Sequence, residues 1–222
     1  MFPDLTSDDI FRIETKRLWL RWPRASDAAS IAGFASLPQT ARMTAAIPHP
    51  YPPGEAERFI LQARADNANK SALVLAMTLK SNVHQTIGLV SATFAALKDV
   101  ELGYVLAPAF WGKGLTGEAV KALVATVFSV TPAERIVANS RTSNPASRRV
   151  LEKSGFGFVD TGLDFLPARG GMHPCDRFVL DRKSWAGRLR EGNSSQPMPP
   201  MAQQGRDISD PAALAAARRV EG

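Results

Sequence analysis

The sequence predicts a mixed α/β (α+β) fold: one domain over residues 1–190, with a central, mostly antiparallel twisted sheet of about six to seven strands flanked by about four helices. Three observations predict it. Of the 222 residues, 45% are apolar, enough to fill a core. Apolar patterns of period two and period 3.6 follow one another along the chain, with Gly, Pro, Asn and Asp between them. No segment repeats.

The elements follow in order. Arg17–Trp22 alternates, with Leu18, Leu20 and Trp22 apolar, and reads as a strand. Ser26 can cap a short helix, Asp27–Ala35. A Pro-rich loop runs from Pro48 to Gly54. Glu55–Ala68 places Ala56, Phe59, Ile60 and Ala63 at helical spacing. Ala72–Leu79, Thr86–Phe94 and Val100–Leu106 read as three antiparallel strands, with turn signals at Ser81-Asn82 and Lys98-Asp99. Thr116–Val130 carries one apolar stripe of Val120, Leu123, Val124, Val127 and Phe128 and is the clearest helix. Arg135–Asn139 is a short buried strand. Pro145–Ser154 is a helix capped by Asn144 and stopped by Gly155. Phe156–Leu166 and Arg177–Leu180 close the sheet.

Residues 191–222 differ in character. EGNSSQPMPPMAQQG (191–205) is rich in Pro, Ser, Gln and Gly and reads as a flexible linker. Residues 210–219 form a short helix candidate, with Asp210 as N-cap and Pro211 at the first helical position.

Composition excludes several classes. No apolar run approaches the ~18 residues of a membrane helix, and the acidic start lacks a signal pattern. The single cysteine, Cys175, excludes a disulfide framework and a multi-cysteine metal site. A soluble, cytoplasmic protein with no membrane partner is expected. The net charge is +6 and the pI about 9.8, which suits an anionic ligand. No Lys/Arg-rich run appears and the aromatics do not interleave with basic residues, so a nucleic-acid partner is not expected.

The chemistry concentrates between Glu101 and Phe158. A strand, ELGYVL, runs into APAFW, then GKGLTG, then the amphipathic helix. Gly112, Gly114 and Gly117 spell G-x-G-x-x-G. Glycines let backbone N–H groups turn toward an anion, and the helix start adds its positive dipole end, so a diphosphate suits this loop. A dinucleotide-binding unit is disfavoured, because Ala107–Trp111 separates the glycines from the strand. Nor does an acidic ribose partner end the next strand; Ser140 and Arg141 stand there. No phosphate-loop pattern G-x-x-x-x-G-K-[ST] can be spelled.

Leu106 to Thr116 (LAPAFWGKGLT), following the strand from Glu101, resembles motif A of the GNAT N-acetyltransferase superfamily. NPASRRVLEKSGFGF (144–158) resembles the motif that follows it there. ETKRLWLRWPRASDA (14–28) and RFVLDRKSW (177–185) are similar to the opening and closing segments of the RimJ/RimL branch, which acetylates protein N-terminal amines. The resemblance covers about residues 12–186. It implies a GNAT-like domain that uses acetyl-CoA as acyl donor, with no metal. Tyr104, Val105, Leu106, Trp111, Gly112, Lys113, Gly114, Leu115, Thr116, Gly117, Asn144 and Arg149 are the cofactor-binding residues it implies. Three departures stand out. Trp111 replaces a common Arg or Gln, and Thr116 a common Gly or Ala. The tyrosine that protonates the departing thiolate in many relatives is Leu151 here, and Ser147, one turn earlier, is the expected substitute.

Acetyl transfer to an amine needs a base, an oxyanion donor and an acid. Glu101, on the strand entering the site, is the expected base, directly or through water. Backbone N–H groups around Val105–Leu106 are the expected oxyanion donors, and Ser147 the acid. Tyr104 reads as packing. Asn144 caps its helix and, by the resemblance, also orients the pantetheine arm. Arg148 and Arg149 either meet the 3′-phosphate or form a solvated basic face. His173 and Cys175 lack a third ligand, and His49 reads as a solvated loop residue. The acceptor groove is expected between loops Thr40–Gly54 and Leu163–Pro174, with Tyr51, Asp164, Arg169 and His173 among its candidates and Gly170–Gly171 as the hinge of a lid. A peptide N-terminus is the favoured acceptor, a small amine such as an antibiotic or polyamine the alternative, and a non-catalytic CoA-binding module a third reading. A monomer or homodimer is expected.

Overall fold

The computed structural model describes residues 11–94 and 98–194, with side chains through Arg190. The possible helix 210–219 lies outside the described residues. The chain divides into two compact units, Met1–Ala186 and Gly187–Gly222.

The first unit is one eight-stranded sheet carrying helices on both faces. Its elements are β1 (Arg12–Glu14), β2 (Leu18–Arg21), α1 (Ala28–Ala35), α2 (Pro38–Arg42), α3 (Glu55–Ala68), β3 (Ala72–Leu79), β4 (Asn82–Phe94), β5 (Asp99–Leu106), α4 (Leu115–Val130), β6 (Arg135–Arg141), α5 (Pro145–Lys153), β7 (Gly157–Leu166) and β8 (Gly171–Asp181). A last helix, α6 (Arg182–Ser194), crosses into the second unit. The strand order is β1-β2-β3-β4-β5-β6-β8-β7, antiparallel throughout except for β5 against β6. No helix among the described residues is long and apolar enough to cross a membrane.

Two main cores form, one on each face. The larger packs the stripe of α4 (Leu115, Ala119, Leu123, Val127) and Leu151 of α5 against Leu102, Leu106, Ile136 and Phe178. The smaller packs Ile31 and Phe34 of α1 and Ile60 of α3 against Ala76 and Leu89. Asp27 pins the start of α1 to the sheet. It accepts both Arg21 guanidinium nitrogens at 2.8 Å, the Arg24 amide at 2.7 Å and the Thr86 hydroxyl at 2.8 Å.

Among the described residues, the eight strands and six helices exceed the expected six to seven and four. The additions have weak local signals. β1 is a three-residue edge strand carrying Arg12 and Glu14. α2 is a five-residue helix started by Pro38, with its turns tied back to Leu37 and Thr40 carbonyls. Asp181 caps α6 by accepting the Ser184 amide and hydroxyl at 2.8 and 2.7 Å, and the helix runs on to Ser194, past the expected linker start at Glu191. Leu163–Pro174, expected as a loosely hinged loop, is instead a paired hairpin. β7 and β8 stay in register to Leu166↔Gly171, and Pro167–Arg169 makes one 3₁₀ turn.

Candidate active site

β5 pairs with β4 along its whole length, from Val100↔Phe94 to Leu106↔Gly88. β6 pairs with β8 along its whole length too. Between β5 and β6, however, only three pairs form, ending at Glu101↔Val137. Beyond that point the two strands part and leave a gap in the middle of the sheet. The Ala107 amide donates to the Ile87 carbonyl at 2.8 Å, which fixes the phase of the β4–β5 ladder. Odd residues of β5 exchange bonds with β4, so Tyr104 and Leu106 turn their amides toward the gap. The Leu106 carbonyl there accepts the Trp111 indole N–H at 2.7 Å. The Tyr104 and Leu106 amides are thus the strand donors that face the gap. The Val105 amide, expected to share that role, belongs to the β4 ladder, and Val105 gives the site its side chain instead.

The glycine loop follows at the end of β5. Gly112 and Gly114 have φ of 75° and 72°, values that a side chain would disfavour. Gly114 caps α4 without a side chain, and the first amide bonded within the helix is that of Glu118, to Gly114 O at 3.2 Å. The amides of Leu115, Thr116 and Gly117 have no acceptor inside the helix and sit at its positive end. Leu115 contributes only its amide, since its side chain is core. The Lys113 ammonium bonds Ala109 O at 3.1 Å and lies over the Phe110 ring.

On the opposite face of the sheet a cavity of about 550 Å³ crosses β3, β4, β5, β6 and β8. Alternation along β5 sends Glu101, Gly103 and Val105 to this face, and Tyr104 to the α4/α5 face. The gap joins the two sides, because Tyr104, Asn144 and Ser147 also line the cavity. Glu101 is exposed in it, with no hydrogen bond or ion pair to any described residue. Ser147 Oγ lies 2.8 Å from the Tyr104 hydroxyl, which also reaches the Ser147 carbonyl at 3.2 Å. Burial raises the Tyr104 phenol to about 12, against a smaller lowering by the Ser147 bond, so it stays protonated at neutral pH. Tyr104 thus packs against the core and also hydrogen-bonds Ser147. Leu151 is fully buried and cannot exchange a proton.

Several sequence readings separate here. Asn144 Oδ1 accepts the Ser147 amide at 3.1 Å, the expected cap, while Nδ2 donates to Met43 O at 3.3 Å. Arg148 is spent on Glu152 (2.9 Å) and Asp176 (3.1 Å) and stacks near Phe158 and Phe178. Arg149 is exposed and has no partner among the described residues. Tyr51 and Asp164 line the cavity, whereas His49, Arg169 and His173 do not. The loop after α2 is tied down rather than open: Arg141 donates to Arg42 O, Arg169 to Ile47 O, and the Ala168 amide to Ala45 O. Among the described residues no cluster of His, Cys, Asp or Glu is placed to hold a metal ion.

A family model described as an acetyltransferase (GNAT) domain matches residues 17–157, well over half of the chain. The chain belongs to the GNAT acetyltransferase family. Among curated relatives, a Bacillus subtilis protein named as a candidate N-acetyltransferase, YjcK, is 39% identical over 71 residues. That match takes in 32% of this chain and 39% of the length of YjcK. Among solved structures, the ribosomal-protein-S5-alanine acetyltransferase of Vibrio fischeri matches with a TM-score of 0.67 at 24% identity, over 79% of this chain and 98% of that one. The microcin C7 self-immunity acetyltransferase MccE, solved with acetyl-CoA and AMP, matches with a TM-score of 0.66 at 20% identity, over 75% and 93%. These two likenesses carry the fold.

Sequence reasoning missed parts of this GNAT domain. Arg17 Nη1 donates to Lys113 O at 2.8 Å, and its Nε meets Glu118 at 2.7 Å, so the start of β2 reaches the glycine loop. Nothing in local pattern marks that residue. The apolar wall of the cavity (Ile31, Phe34, Phe59, Leu89) comes from α1, α3 and β4. Helical spacing marks Phe59 as inward, and it could not show that this side chain borders a cavity.

Proposed function

We propose that this protein is an acetyl-CoA-dependent N-acetyltransferase acting on a primary amine, with a peptide or protein N-terminus as the favoured acceptor. The observation that carries the reading is the parting of β5 from β6. It lets an unpaired carboxylate on one face and a hydroxyl pair on the other line one cavity. The activity fits a cytoplasmic setting, where acetyl-CoA and newly made chain ends meet.

Acetyl-CoA supplies an acyl group activated as a thioester. The loop amides of Leu115, Thr116 and Gly117 receive the diphosphate, and Arg149 is free for the 3′-phosphate. Glu101, on the groove side, takes a proton from the acceptor ammonium directly or through one water. The Leu106 amide faces the carbonyl oxygen as it gains negative charge. Ser147 returns a proton to the departing sulfur, with Tyr104 behind it as a neutral phenol that steadies the hydroxyl.

The groove supports the acceptor class. Its carboxylates are few (Asp66, Glu101 and Asp164), and Asp164 is neutralised by Arg177 at 2.6 Å. Its walls are largely Ile31, Phe34, Ile47, Tyr51, Phe59 and Leu89. A polycation would find little charge there, whereas an amine flanked by an apolar group would bury surface at roughly 25 cal/mol per Å².

A thiol-release assay tests the reading. Acetyl-CoA is offered with peptides bearing a free N-terminus, the same peptides blocked at the N-terminus, spermidine and an aminoglycoside. Release with free peptides only is expected. Preference for spermidine or the aminoglycoside by kcat/KM would move the acceptor to a small amine, and CoA binding with no release would favour a non-catalytic module.

A further inference from the structure

Arg17 and Glu118 form an ion pair where β2 begins, against the glycine loop. Thr15 Oγ1 donates to Glu118 Oε1 at 2.6 Å, and the Arg17 amide donates to the same oxygen at 2.7 Å. Arg17 Nε donates to Oε2 at 2.7 Å and Nη1 to Lys113 O at 2.8 Å. The remaining nitrogen, Nη2, lies beside Gly114, 3.7 Å from where a Cβ would stand. Burial works to raise the Glu118 pKa, but the bonds from Thr15 and Arg17 outweigh it and hold the carboxyl below its usual range. An ionised carboxylate therefore sits in the first turn of α4, one turn from the open amides. There it draws on the same positive field that a diphosphate would meet. It would also repel that dianion unless compensated.

We propose that Arg17 is a positioning residue for the donor's diphosphate: it cancels the Glu118 carboxylate and turns the Lys113 carbonyl aside, so that the loop presents only donors. The proposal rests on the reading of Gly112–Gly117 as the diphosphate loop. Arg17 holds Glu118 with one arm of a planar fork and the Lys113 carbonyl with another, which a lysine cannot reproduce. Glu118 alone would be a good first-turn residue for the helix and a poor neighbour for the ligand. The fork reconciles the two.

The test compares two donors. Acetyl-CoA carries the diphosphate, and S-acetylpantetheine lacks it. Arg17→Ala is expected to raise the KM for acetyl-CoA and the Kd for CoA by about tenfold to a hundredfold, the span of a lost charge-assisted bond. The kcat/KM for S-acetylpantetheine should stay at the wild-type value. Adding Glu118→Gln to Arg17→Ala should recover most of the lost CoA affinity, and Arg17→Lys should fall between wild type and Arg17→Ala. Thermal melts of each variant separate these effects from loss of folding.

Three outcomes overturn the proposal. Arg17→Ala could bind CoA as tightly as wild type. Both donors could suffer equally, which would mark a structural role only. The double variant could bind no better than Arg17→Ala. A wild type that uses both donors equally well would instead overturn the loop reading, and the proposal with it.

Discussion

The two faces of β5 are built in different ways. On the α4/α5 face the site is mostly backbone: open helix amides, two strand amides turned toward the gap and two glycines with positive φ. On the groove face it is mostly side chains, drawn from α1, α3, the loop after α2, β4, β5, β6 and the β7–β8 hairpin. Backbone sites require a local geometry and tolerate little change in it. Side-chain sites change one residue at a time without disturbing the fold. A domain that keeps one donor and varies its acceptor needs this division. The parting of β5 and β6 joins the halves, because it lets Ser147 and Tyr104 reach a cavity whose unpaired carboxylate, Glu101, stands on the other side.

If the faces act separately, variants should divide the kinetic parameters between them. The largest effect is expected from Glu101→Gln on the groove face. Turnover at neutral pH should fall about 10²- to 10⁴-fold, the usual span for a general base. CoA affinity measured by calorimetry should be unchanged. A large loss of CoA affinity would break the division, since Glu101 would then serve both faces.

Gly114→Asp tests the other face. Asp tolerates the left-handed backbone at this φ of 72° better than most residues, and a Cβ there meets nothing closer than Arg17 at 3.7 Å. The fold should survive while a carboxylate enters the position proposed for the diphosphate. CoA binding should weaken by about tenfold to a hundredfold, the scale of one charged contact. Tight CoA binding by this variant would remove the loop assignment.

Ser147→Ala and Tyr104→Phe probe the junction, with a smaller loss of roughly tenfold in kcat expected for each, because a thiolate leaves more readily than an alkoxide. Since the two hydroxyls are 2.8 Å apart, the double variant should lose little more than the worse single one. Fully additive losses would mean that the two groups act independently.

The sequence made one face far more legible than the other, for the same reason. Residues 101–117 and 144–149 are contiguous, and their pattern of strand, glycines, helix and cap states the geometry directly. α3 was readable as Glu55–Ala68 to the residue because its apolar spacing and Gly54 mark both ends of one local element. The gap itself was not derivable from residue pattern, since β5 and β6 keep strand patterning past the point where they part. The β7–β8 hairpin was misread because Gly170 and Gly171 suggest looseness. Its stiffness comes instead from Arg177, which lies across Gly162 so closely that a Cβ there would meet the guanidinium at 2.6 Å, while pairing with Asp164. Arg17 escaped notice because its partners, Lys113 and Glu118, stand about a hundred residues away.

The smallest expected effect is spectroscopic, and it places one reporter on each face. The chain has two tyrosines, Tyr51 in the groove and Tyr104 at the junction. Both phenols are raised from 10.0 to about 12, with burial as the first cause in each. The second cause differs. Glu55 and Glu57 push Tyr51 further up, with Arg58 opposing, whereas the Ser147 bond pulls Tyr104 down. A folded-state pKa above the unfolded one means that the fold favours the neutral phenol. That stability is fully present below about pH 10 and is lost as pH rises through about 12. Phenolate absorbance of the folded protein should therefore stay flat through pH 10, while the same chain in urea titrates near 10.0. Glu55→Gln with Glu57→Gln, or added salt, should bring the Tyr51 step down and leave Tyr104 in place, because only Tyr51 is raised by neighbouring charges that ions screen. Ser147→Ala should move Tyr104 up alone. A folded protein showing a full two-tyrosine step at pH 10 would mean that neither phenol is shielded, and the burial of the Tyr104–Ser147 pair would lose its basis.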